Sequence, residues 1–170
     1  AAELLDLFGL GEEQLPRIVA CDEPLGTTSA FGTPMAVGGQ VVDQQAALFA
    51  QGCLDAGQAK CTFGTGAFLL VNTGATAPRS GNGLTTSVAW TLRGQSAYCL
   101  DGQVFTVASA VRWLTDIGLI GAPTDLDPLS ADGAGDVLCV PALAGLAAPW
   151  WRGDARAVFT GIGLASTRGN

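Results

Sequence analysis

The chain contains no histidine. Ser-His-Asp and Cys-His catalysis, histidine metal sites and imidazole pH switching are therefore excluded together. Charge is also scarce. Asp, Glu, Lys and Arg make up 14% of the 170 residues, and the formal net charge is −7. A chain without a basic face cannot replace phosphate counterions, so nucleic acid is not an expected partner. No apolar run reaches bilayer length and no secretory leader pattern is present, so no membrane partner is expected. The cysteines at 21, 53, 61, 99 and 139 include no C-x-x-C pair. Their odd number and low density fit reduced thiols in a cytoplasmic protein. G-x-x-x-x-G-K-[ST] is missing, which excludes a P-loop NTPase, and so is G-x-G-x-x-G after a strand.

Apolar residues and glycine are plentiful. Hydrophobic residues reach 48%, enough to predict a substantial core, and the 24 glycines suggest tight turns or backbone that approaches a ligand closely. The length suits one ordinary domain or two pieces of a larger one. The chain opens with "AAELLDLFGL", inside a helical pattern, and reads as an excised piece. Leu4, Leu5, Phe8 and Leu10 fit one helix face, and "EPLGTTSAFGTP" reads as turn and loop. "MAVGGQVV" reads as a short strand. Gln44 to Gln51 reads as a helix stopped by Gly52. "AKCTFGTGAFLLVNTG" reads as two strands around "FGTG", and Arg93-Gly94 as a further hairpin turn. Val107, Val111, Trp113 and Leu114 have helical spacing, with Gly118 as the stop. "PTDLDPLSADGAGD" reads as a surface loop, "VLCVPAL" as a buried strand, and Trp150–Trp151 as core or interface. Alternating strands and helices predict an α/β or α+β class.

Two stretches could carry chemistry. Asp43 before a helix suits an N-cap, and a carboxylate at a strand-to-helix junction also faces the cleft edge of an α/β sheet. Gln44 beside it offers both a donor and an acceptor, as a polyol hydroxyl requires, or is an exposed amide of the first turn. In "FGTGAF", glycines flanking Thr65 let backbone N–H groups line an anion-holding concavity, and a plain hairpin uses the same glycines.

The order of these stretches adds a further reading. "DQQAALFAQGC", "AKCTFGTGAFLLVNTG", "GLTTSVAW", "LDGQVF", "VRWL" and "VPALAGLAAPWW…AR", taken collinearly from about Leu4 onward, resemble the glycerol kinase branch of the FGGY carbohydrate kinase family. The resemblance implies a partial α/β fold of the ribonuclease H-like, actin-like type. Residues 1–52 would be the end of the first FGGY domain, and 53–170 the first part of the second. It implies phosphorylation of glycerol by ATP with Mg²⁺, in a protein about three times as long. Asp43 would be the general base and a substrate ligand, Gln44 a second substrate ligand, and Thr65 a contact of the nucleotide phosphates. Ala108 falls on a nucleotide-contacting position. No metal ligand is implied, and a homo-oligomer is compatible. The 170-residue chain alone is expected to be inactive.

The chain departs from the family pattern at several points. Val42 stands where the family usually has glycine, Ala108 replaces a glycine, Arg112 a glutamine, and Arg152 an acidic residue. Val42 would reshape the pocket toward another polyol or a ketose. With Arg112, it also favours a non-catalytic binding or regulatory descendant. Asp43 and the intact "FGTG" favour a working kinase.

Overall fold

The computed structural model describes residues 2–11 and 15–170. By contact, the chain divides into two compact units, Ala1–Val41 with Trp90–Gln95, and Val42–Ala89 with Ser96–Asn170.

In the first unit, helix α1 (Ala2–Phe8) ends at Gly9, whose φ of 64° only glycine adopts without penalty. Strand β1 (Gly26–Thr28) pairs antiparallel with β2 (Met35–Val37). β1 corrects the expectation of loop over this stretch. The two threonines suit a pleated strand, and the pairing with β2 is a contact that local sequence does not reveal. Cys21 anchors the unit: its amide donates to the Thr91 carbonyl at 2.8 Å, and its carbonyl accepts from the Gln40 amide at 2.9 Å. The segment "FGLGEEQLPRI", whose glycines and proline read as the end of that helix, lies partly outside the described residues.

The second unit is built on a sheet of order β3-β4-β6-β5, from β3 (Ala59–Phe63), β4 (Ala67–Gly74), β5 (Thr85–Leu92) and β6 (Gln95–Val104); the β5–β6 tip belongs to the first unit. β3 pairs antiparallel with β4, and β4 with β6, placing Lys60, Leu70 and Asp101 in one cross-strand row. Helix α2 (Asp43–Ala50) packs on β3 and β4, burying Leu48 completely, and stops at Gly52 with φ 76°. Asn72 of "NTG" is 1% exposed. Its Nδ2 donates to the Cys53 carbonyl after α2, while its Oδ1 accepts the Gly74 amide at a β-bulge. That pairing fixes where the helix ends relative to the sheet.

Helix α3 (Ala108–Asp116), a 3-10 turn (Pro123–Asp125), helix α4 (Leu126–Leu129) and the ribbon of β7 (Leu138–Val140) with β8 (Val158–Thr160) complete the unit. Several expectations need correction here. The loop after Gly121 is partly helical, because Asp125 Oδ2 accepts the amides of Gly121 and Ala122 and closes a turn. β7 is a strand, but all its residues are exposed, since a two-stranded ribbon has no second layer of its own. Trp150 and Trp151 are also exposed, at 64% and 46%; Trp151 is held by its indole N–H on the Gly83 carbonyl. The core is smaller than composition suggests. Leu48, Leu70, Asn72 and Cys99 are the largest fully buried side chains, and Phe63 and Leu69, on the sheet face away from α2, stay exposed.

Candidate functional site

Asp43 is the first residue of α2, and Val42 holds the N-cap position in extended conformation with no side-chain cap bond. The N-cap reading of Asp43 is therefore corrected by one position. Its Oδ1 accepts the Gln44 amide at 2.7 Å, a bond made from inside the first turn. A carboxylate there is favoured by the positive end of the helix dipole. The side chain is exposed, and Gln44 beside it is half-buried.

The Gly64–Gly66 segment is the hairpin turn between β3 and β4, closed by Gly64 N–H on the Gly66 carbonyl. It is also tied to α3. The amides of Val107 and Ala108 donate to the carbonyls of Thr65 and Gly64 at 2.9 and 3.0 Å, and the Ser109 hydroxyl donates to Thr65 at 3.0 Å. These bonds bring Thr65 and Ala108 together through the main chain. They also use up the first donors of α3, so the helix end itself has little left to offer an anion. The amides of Thr65 and Gly66 and the Thr65 hydroxyl have no partner among the described residues. Gly66 is required by space: a Cβ would lie 2.4 Å from the Val104 carbonyl oxygen.

Gln44, Thr62, Phe68, Val104, Phe105 and the turn 64–66 line one open pocket of about 340 Å³. The start of α2 and the glycine turn thus face the same space within one unit. Asp43 precedes Gln44 and Ala108 is bonded to the turn, but neither lines the pocket. Arg112 is on the exposed face of α3, 4.0 Å from Asp116, and Arg152 makes two bonds of 2.8 Å to Asp154. Among the described residues no group of three or more carboxylates and cysteines could hold a metal.

One residue at this site escaped the sequence reading. Lys60 is 3% exposed and donates to Gln44 Oε1 at 2.5 Å and to Thr62 Oγ1 at 2.7 Å. It is the chain's single lysine, placed in a strand, and that rarity was the available signal.

Known proteins resemble this chain over nearly its whole length. The profile of the FGGY family of carbohydrate kinases, C-terminal domain, matches residues 59–170. The chain is 44% identical to the glycerol kinase of Bdellovibrio bacteriovorus, with 98% of this chain and 35% of the relative covered. It is 42% identical to that of Thermus brockianus, covering 98% and 34%. Among solved structures, Plasmodium falciparum glycerol kinase with ADP superposes with a TM-score of 0.84 at 32% identity, covering 98% of this chain and 35% of that one. A xylulose kinase from Brucella ovis gives 0.80 at 28%, covering 99% and 36%. The chain thus spans about a third of the length of the curated relatives it matches.

Proposed function

Because this chain belongs to the FGGY family of carbohydrate kinases, with the partial α/β, ribonuclease H-like fold of that family, we propose that the protein carrying it phosphorylates a small polyol with ATP, glycerol becoming glycerol 3-phosphate. The observation that carries the proposal is the single pocket shared by Gln44 and the Gly64–Gly66 turn, with the exposed Asp43 carboxylate next to Gln44.

In this reading Asp43 takes the proton of the attacking hydroxyl. Phosphoryl transfer runs through a loose transition state, so the proton leaves late and a carboxylate needs no special basicity. Gln44 holds an acceptor hydroxyl. The amides of Thr65 and Gly66 and the Thr65 hydroxyl meet phosphate oxygens, and the tie between Thr65 and Ala108 holds the turn rigid. Positioning and charge neutralisation lower most of the barrier. Magnesium bound to the nucleotide would supply the positive charge that these residues lack. Residues 1–52 are read as the end of the first family domain and 53–170 as the start of the second, in the cytoplasm. A ketose acceptor is the alternative, favoured by the exposed Val42 at the head of α2.

The test is Asp43→Asn in the protein expressed at the full length of its reading frame. Glycerol 3-phosphate formation should be lost while ADP binding by calorimetry stays; retained turnover would remove Asp43 from the reaction.

A further inference from the structure

β3 reverses the usual order of a half-buried strand. Lys60 and Thr62 point toward α2, while Cys61 and Phe63 face outward, Phe63 at 75% exposure. The inward lysine is costly to place. Burial pushes its ammonium below the ordinary range, opposed first by Asp101 and then by Cys61, Asp43 and Cys99. A lysine held below its unfolded pKa destabilises the fold while it stays protonated; the loss is recovered only as pH rises toward 10.5. A methionine would fill the same space without that cost.

The bonds show what the charge does. An ammonium only donates, so the atom of Gln44 that meets Lys60 must be the amide oxygen. We propose that Lys60 is a positioning residue: it holds Gln44 by the oxygen and commits the amide NH₂ to the pocket. This rests on the reading that the pocket receives a polyol.

The consequence is a rule for the ligand. Gln44 donates and Asp43 accepts, so a group placed between them must both accept and donate. A neutral hydroxyl does. A protonated amine can satisfy Asp43 but meets Gln44 N–H to N–H, and it adds a second cation near Lys60. The site therefore selects hydroxyls over ammonium groups at that carbon.

The experiment is a double-mutant cycle in the protein at full reading-frame length, using glycerol and ATP. Lys60→Met should raise the KM for glycerol about tenfold, the upper end for one hydrogen bond between neutral groups, and leave the KM for ATP within about twofold. Gln44→Ala should do the same, and the double variant should be no worse than Gln44→Ala alone. Gln44→Glu keeps a partner for Lys60 but has no donor, so it should match Gln44→Ala in KM while keeping the melting temperature. Independent, multiplying effects of the two sites would overturn the proposal. So would a wild-type KM in Gln44→Glu, or a Lys60→Met variant that melts earlier with both KM values unmoved. If the wild type phosphorylates no polyol, the functional reading fails and the Lys60 assignment is read separately. The Gln44 side-chain amide resonances, identified by their loss in Gln44→Ala, should then still move on Lys60→Met, and unmoved resonances would overturn it.

Discussion

The two hairpin turns of the four-stranded sheet both contain glycine and differ in what they do. At the β5–β6 tip, Arg93 and Gly94 have φ of 51° and 74°, the left-handed pair that a two-residue hairpin demands. There glycine serves conformation. At the β3–β4 turn neither Gly64 nor Gly66 lies in the left-handed region. Gly66 is glycine because the backbone of Val104 and Phe105 leaves no room for a Cβ. That turn lends its carbonyls to α3 and leaves the Thr65 amide and hydroxyl without a partner among the described residues, facing a pocket. One turn closes a strand pair, whereas the other pins a helix, a sheet and a potential ligand site together.

Substitutions can sharpen this contrast. The largest effect is expected at the start of α2: Asp43→Asn should lower kcat by about 10²–10⁴, the range for a lost proton acceptor. Gly66→Ala should come next. Forcing a methyl against the Val104 carbonyl should destabilise by roughly 1–3 kcal/mol in denaturant melts and raise the KM for ATP as the turn shifts from α3. Thr65→Val removes one donor and should raise the KM for ATP by about three- to tenfold with melting unchanged. Gly94→Ala is the control at the other turn, expected to cost about 1 kcal/mol of stability with kinetics per folded molecule intact. If Gly94→Ala altered the KM for ATP as much as Gly66→Ala does, the contrast between the turns would fail.

Much of the frame was legible. Gly52 and Gly118 mark helix ends because positive φ is a local property that glycine announces, and the Arg93-Gly94 turn was readable for the same reason. β1 and β8 were not legible: each lies among glycine- and proline-containing turn residues, and its pairing with another segment is not written locally. β7 was misread as interior, and of the two readings of Trp150–Trp151, core or interface, exposure removes the core one, because hydrophobicity says what prefers burial, not what is available to cover it. At the site, Gln44 and Thr65 carried recognisable residue types, and their shared pocket depends on how α2 packs on β3.

β3 separates the two kinds of information most clearly. Its alternation follows from the residues alone, because a strand's period of two is local. Which face points inward does not follow. Hydrophobicity would have turned Cys61 and Phe63 toward the helix and left Lys60 in water. Register with Leu70 and the docking of α2 reversed that choice, and the Gln44 oxygen and Thr62 hydroxyl partly compensate the buried ammonium. Only contacts between segments distant in the chain could supply those partners.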